Sequence, residues 1–196
     1  MKLKEQVARL IAPTFSEHGF AQVTPLVFER PLQGLCHGVE FVNGTGGRKG
    51  RFTVNFYLRY TNSPRIDTSA MDCCFRINAL SSCADPWCPI DCEADYAWVL
   101  RVFLGPAAEF FQSHASIHAV LESASKGTYS DAQLFGNDPG WRCFHMGFCH
   151  LTVGHKENAA MHLRAVVEQH SDQSYEWVKE RARLAADALT SIEPKS

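Results

Sequence analysis

The chain has 196 residues, of which 45% are hydrophobic and 20% charged, and its formal net charge at pH 7 is −2. A chain of this length buries roughly 70% of its unfolded surface, so we expect a single domain over residues 1–196, with a sheet region at 1–125 and a helical tail at 126–196. The balanced charge argues against binding to nucleic acid through phosphate neutralisation, because that mode needs a basic surface.

The N-terminal segment does not read as a membrane anchor. Charged residues interrupt it every few positions, and no stretch of the chain approaches the roughly 18 consecutive apolar residues of a membrane-spanning helix. We therefore expect a soluble cytoplasmic protein without a membrane partner. In that reducing compartment the eight cysteines are expected to be thiols or metal ligands rather than disulfides.

The chain is predicted to open with an amphipathic helix of about 16 residues, because its apolar residues recur at helical spacing. These residues are Leu3, Val7, Leu10, Ile11 and Phe15. Pro13 removes one intrahelical hydrogen bond and is expected to kink the helix. Gly19 is expected to cap its C-terminus, with Phe20 supplying the hydrophobic contact that follows such a cap.

The residues after this helix predict an antiparallel sheet. Apolar and polar side chains alternate over residues 51–60, which places every second side chain on one face of a strand. Weaker patterns predict strands at 26–30, 35–42 and 72–80, and the short links between the four strands predict a meander with one face toward water. The fold class is therefore predicted as α+β.

The second half of the chain is predicted to be largely helical. Residues 96–103 suit either a short helix or a further strand. Pro106 is expected in the first turn of a helix that buries Phe110, Ile117 and Leu121. Residues 126–140 are predicted to form a loop, and three helices are predicted at 141–153, 157–170 and 174–192. Gly154 predicts a tight hairpin between the first two of these helices.

Three short motifs carry a family resemblance. Residues 11–20, 28–30 and 52–55 read IAPTFSEHGF, FER and FTVN. They resemble the bacterial family named domain of unknown function 4304, and the similarity extends over residues 3–125. The resemblance implies an α+β fold with an antiparallel sheet, no established activity and no catalytic residues. Some members of that family are thought to lie near toxin and immunity genes, which implies an immunity-type or regulatory role.

The cysteine-rich loop is the sharpest candidate for chemistry. Cys83, Cys88 and Cys92 lie within ten residues, and Cys74 on the preceding predicted strand is the candidate for a fourth ligand. Zinc prefers four tetrahedral soft ligands, so these four thiols predict a zinc site. The gaps between them are looser than the paired C-x2-C spacing of zinc knuckles, so unligated thiols and a redox pair remain alternatives.

Two other patterns could bind metal. His145 and Cys149, with His150 beside them, lie one helical turn apart, as do His114 and His118. No carboxylate at helical spacing completes either group, and a buried histidine with a hydrogen-bond partner is the commoner structure.

The glycine-rich segment at residues 44–50 contains Arg48 and Lys49, which is compatible with phosphate contact. It joins two predicted strands and lacks the Gly-Lys-Ser/Thr of a P-loop, so a hairpin loop is favoured.

No nucleophile or metalloprotease motif is present in the sequence. The favoured function is therefore a non-enzymatic protein-interaction or regulatory factor, which binds a partner through the sheet face or the helical tail. The alternative is a metal-dependent or thiol-dependent enzyme that uses residues 83–92. The sequence does not indicate an oligomeric state.

Overall fold

The computed structural model describes residues 2–66, 73–81, 84–170 and 175–192. It confirms the α+β class, with N-terminal helices, an antiparallel sheet and a helical C-terminal half. The described residues form two compact units. The first comprises residues 2–32, 36–58, 74–81 and 84–113, and the second comprises 33–35, 59–66, 73, 114–170 and 175–192. The single domain predicted over residues 1–196 stays a prediction.

The predicted N-terminal helix is two helices, α1 (Leu3–Leu10) and α2 (Ala12–Glu17), which meet at Ile11. Pro13 lies in the first turn of α2, where its missing N–H has no intrahelical partner to lose, so the proline begins a helix rather than kinking one. Gly19 adopts a φ of 79°, and the backbone N–H of Phe20 donates to the carbonyl of Phe15 at 3.0 Å. The predicted glycine cap is therefore confirmed.

The sheet is a meander, and it contains two described strands beyond the four that the sequence predicted. In spatial order the strands are β1 (Ala21–Thr24), β2 (Val27–Leu32), β3 (Leu35–Asn43), β4 (Arg51–Tyr60) and β5 (Cys73–Arg76), while β6 (Cys88–Pro89) also pairs with β4. The strand predicted at 72–80 ends earlier, because the chain turns into a 3-10 helix over Ile77–Ala79.

The core face of the sheet carries every second side chain of β4, as the alternation over residues 51–60 predicts. Phe52, Val54, Phe56 and Leu58 are fully buried. The ring of Phe15 from α2 lies 5.0 Å from that of Phe28, measured between ring centroids, and this edge-to-face contact anchors the helix on the sheet.

The opposite face is not open to water along β4, contrary to the prediction. Thr53 is fully buried, and Asn55 and Tyr57 are at least nine-tenths buried. The ring of Tyr57 lies directly over Gly38 of β3, where an added Cβ would come within 1.9 Å of it. Polar side chains at alternate positions reveal which face they occupy, but not what covers that face.

Residues 96–103, for which the sequence allowed either a helix or a strand, are helical. Helix α3 (Glu93–Val102) continues through a π-helical turn over Phe103–Ala107 into α4 (Ala108–Ser113). Pro106 lies within this wide turn and does not begin a separate helix, because a π turn accommodates a residue that cannot donate a hydrogen bond.

The second unit is built from five described helices: α5 (Ile117–Ser125), α6 (Asp131–Phe135), α7 (Pro139–Thr152), α8 (Lys156–His170) and α9 (Glu176–Ile192). The segment predicted as a loop at 126–140 contains the short helix α6. A capping box between Ser130 and Gln133 stabilises its N-terminus. Gly154, at a φ of 81°, turns the chain between α7 and α8 as predicted. Phe144, Leu163, Val166 and Ala185 form the core of this unit.

None of the helices in the described part of the chain is both long and apolar enough to span a bilayer.

Candidate interaction site

The structure separates two of the four predicted zinc ligands. Cys88 pairs with Phe52 across β6 and β4, so both side chains point to the core face of the sheet. On β5, Phe75 contacts Phe110 of the core, and Cys74 therefore points to the opposite face. The two thiols therefore project from opposite faces of the sheet.

The thiol of Cys74 is a weak acid when no metal ion is bound. Part of the side chain reaches solvent, yet partial burial and then the negative charge of Glu40 raise the pKa of its thiol to about 11. Without a bound cation the thiol therefore stays protonated at neutral pH, whereas the thiolate is the form that attacks electrophiles.

Cys92 is half-buried at the start of α3, and Cys83 lies outside the described residues. Among the residues that the structure describes, no three His, Cys, Asp or Glu side chains are placed so that they could hold a metal ion together. Zinc at Cys74, Cys83, Cys88 and Cys92, and an enzyme that uses this loop, stay predictions.

The residues of the two predicted histidine motifs lie in different surroundings. His114 follows α4 in the chain and is fully buried, with its Nε2 3.1 Å from the Ser123 hydroxyl of α5, while His118 on α5 is exposed. On α7, Cys149 is fully buried. The ring of His150 lies 5.5 Å from that of His162, measured between centroids, in a separate cluster from His145.

A buried serine and histidine lie in contact in the second unit. Nδ1 of His145 is 3.2 Å from the hydroxyl oxygen of Ser63, and both side chains are almost fully buried. Burial and then the positive charge of Arg181 lower the pKa of His145 to about 3. A base this weak takes little of a serine proton at neutral pH, and the contact gives both buried side chains a hydrogen-bond partner.

An apolar groove in the first unit is the feature best suited to binding. We call it the α1 groove. A cavity of about 570 Å³ has an apolar floor and a basic rim, formed by Leu3, Pro25, Leu26 and Ile90 with Lys2 and Lys4. A second cavity of about 490 Å³ shares Lys4, Thr24 and Pro25 with the first and extends to Glu5, Ala8 and Val23. Both cavities open broadly to solvent.

Local sequence places each wall of the α1 groove. The start of α1 supplies one wall, and the turn between β1 and β2 supplies the other. Strand β1 is the edge of the sheet and all four of its residues are exposed. Val23 is 53% exposed, and it is the extra residue of a bulge between Gln22 and Thr24.

Sequence reasoning did not find this groove. Residues 21–24 carry too short a pattern to predict a strand, and Ile90 reaches the groove through tertiary pairing, as its N–H donates to the carbonyl of Gly50 at 3.1 Å. The available signals were the exposed lysines that alternate with apolar residues at the start of α1 and the Thr24-Pro25 turn.

The chain matches no protein-family model, no curated protein and no solved structure. The resemblance to the family of domain of unknown function 4304 therefore stays a prediction.

Proposed function

We propose that this chain is a non-enzymatic protein-binding factor and that the α1 groove receives a segment of its partner. The observation that carries the proposal is an open groove with an apolar floor and a charged rim, which is the composition of protein interfaces that form and dissociate. Exposed apolar surface is costly in water, and a contiguous stretch of it commonly marks a binding surface.

The shape of the groove favours a polypeptide over a small metabolite. Small-molecule sites are concave enough to bury most of the ligand surface and carry several convergent polar groups. Here two broadly open cavities share Lys4, Thr24 and Pro25 and so form one open trough. A trough of this kind fits a chain segment whose successive side chains occupy successive cavities.

The protonation states of His145 and Cys74 support a non-enzymatic function. The imidazole of His145 is too weak a base to activate Ser63, and the thiol of Cys74 is held protonated at neutral pH. Each of these groups has a structural interpretation that requires no substrate.

Site-specific photo-crosslinking tests the proposal. A photoreactive amino acid replaces Val23 in the groove or, as the matched control, Met161 on α8, since the two native side chains are 53% and 57% exposed. After illumination in the cells that produce the chain, we expect a covalent adduct with another polypeptide from position 23 and little from position 161. Equal adducts from both positions, or none from position 23, would contradict the proposal.

A further inference from the structure

Asn43 is the last residue of β3, and of the asparagines in the chain it alone precedes a glycine. We infer that Asn43 is a site of spontaneous deamidation in the folded protein and that the end of the β3–β4 hairpin controls the rate of this modification. The inference concerns a covalent change in this chain and does not depend on the proposed protein-binding function.

The reaction needs water and no enzyme. The backbone nitrogen of Gly44 attacks the side-chain carbonyl carbon of Asn43, and the new C–N bond closes a succinimide ring. The bond from that carbon to the side-chain nitrogen breaks, and ammonia leaves with the proton that the backbone nitrogen gives up. Water then opens the ring at either carbonyl and leaves aspartate or isoaspartate at position 43. A glycine at the next position favours the attack, because no side chain shields its nitrogen and its backbone is the least restricted.

The fold requires this glycine. A Cβ added at Gly44 would lie 2.1 Å from the carbonyl oxygen of Arg48, which belongs to the 3-10 helix at Gly46–Arg48. Any other residue would clash with the backbone of that turn. The geometry of the β3–β4 connection therefore keeps the reactive Asn-Gly pair at this position.

The side chain of Asn43 is accessible to water. It is exposed, and it lines the cavity of about 570 Å³ in the α1 groove together with Lys2 and Lys4. Deamidation would therefore add a carboxylate to the lining of the groove. Isoaspartate would also lengthen the backbone by a methylene group at the end of β3.

A hydrogen bond restrains the reaction. The backbone N–H of Gly44 donates to the carbonyl of Arg51 at 2.8 Å, and this bond must open before the nitrogen can turn toward the Asn43 side chain. Residues 45–50 are all exposed, so opening this end of the hairpin uncovers little buried surface. We therefore expect a slow reaction in the folded chain, faster once the chain is unfolded.

Peptide mapping by mass spectrometry tests the inference. The full chain is incubated at mildly alkaline pH, either folded in buffer or unfolded in guanidinium chloride, and the asparagine, aspartate and isoaspartate forms are quantified over time. We expect product at position 43 in both samples. The reaction should be at least about tenfold slower in the folded sample, because the hairpin end must open first.

Asn137 is the matched control in the same chain, because its side chain is also exposed but Asp138 follows it. It should react more slowly than Asn43 in guanidinium chloride. Three results would each overturn the inference: no product at Asn43 in the folded chain, equal rates at Asn43 in the folded and unfolded chains, or equal rates at Asn43 and Asn137 in the unfolded chain.

Discussion

Arg181 occupies an unusual place for a charged residue, since it is fully buried in the second unit. Its guanidinium carbon lies 4.8 Å from the centroid of Trp141 and 5.1 Å from that of Trp177, and it donates to the Asp138 carboxylate at 3.1 Å. Asp138 also caps α7, because its side chain accepts a hydrogen bond from the N–H of Trp141. A buried charge is tolerated when it is paired in this way, and the pair therefore ties α9 to the start of α7.

Removing the negative partner should cost more than removing the buried positive charge. We expect Asp138→Asn to lower the free energy of unfolding by about 1 to 3 kcal/mol, because asparagine keeps the helix cap but leaves Arg181 unneutralised. Arg181→Met, which fills similar space without a charge, should cost less. Urea denaturation measures both values. As a control, Asp187→Asn removes one of the two carboxylate partners of Arg183, whose side chain is 57% exposed, and should cost under about 0.5 kcal/mol. Equal losses for Asp138→Asn and Asp187→Asn would contradict this account.

The hairpin of α7 and α8 depends on a close approach between the two helices. Gly147 on α7 faces Leu163 on α8, and a Cβ added at Gly147 would lie 2.7 Å from the Leu163 side chain. The turn at Gly154 brings the helices together, but the missing side chain at Gly147 sets their separation. Leu163 is itself fully buried in the core of the second unit and has little room to move.

Gly147→Ala should therefore destabilise the protein, although alanine is normally the better helix former. The gain in helix propensity is about 1 kcal/mol, whereas overpacking against Leu163 costs about 1 to 3 kcal/mol, so we expect a net loss. Thermal denaturation reports the effect. Gly105→Ala is the control, because no atom lies within 4 Å of its added Cβ and its melting temperature should not fall. A melting temperature raised by Gly147→Ala would show that the helices have room to separate.

The pH dependence of the stability of the whole molecule should come in part from histidines in the second unit. Burial, followed by the charge of Arg181, lowers the pKa of His145 to about 3 from its ordinary value of 6.5. Burial, followed by the charges of His162 and His155, lowers the pKa of His150 to about 4. Both groups stay neutral in the folded chain at pH values where the unfolded chain binds a proton.

Because the unfolded state binds more protons below pH 6.5, stability should fall as the pH drops from about 6.5 toward the folded pKa values. Each histidine contributes a slope of at most about 1.4 kcal/mol per pH unit. Urea denaturation between pH 7 and about 4.5 measures this slope. His145→Asn should flatten it, whatever its effect on absolute stability. An unchanged slope in that variant would assign the acid sensitivity to other groups.

Local patterns determined most of the elements. The alternation in residues 51–60 predicted β4 at its observed bounds, because each side chain's face depends only on its position along one strand. The α+β class, the glycine cap at Gly19 and the hairpin at Gly154 were predictable for the same reason. These features need no knowledge of distant residues.

Tertiary structure decided what those patterns leave open. Three features depend on segments that are far apart in the chain. They are the burial of Thr53 and Asn55, the opposite faces occupied by Cys74 and Cys88, and the burial of Arg181. The α1 groove has the same origin, since Leu3, Leu26 and Ile90 meet only after the sheet has formed. Periodicity reports which side of its own element a residue occupies, whereas burial, convergence of ligands and the shape of a groove are set by the element packed against it.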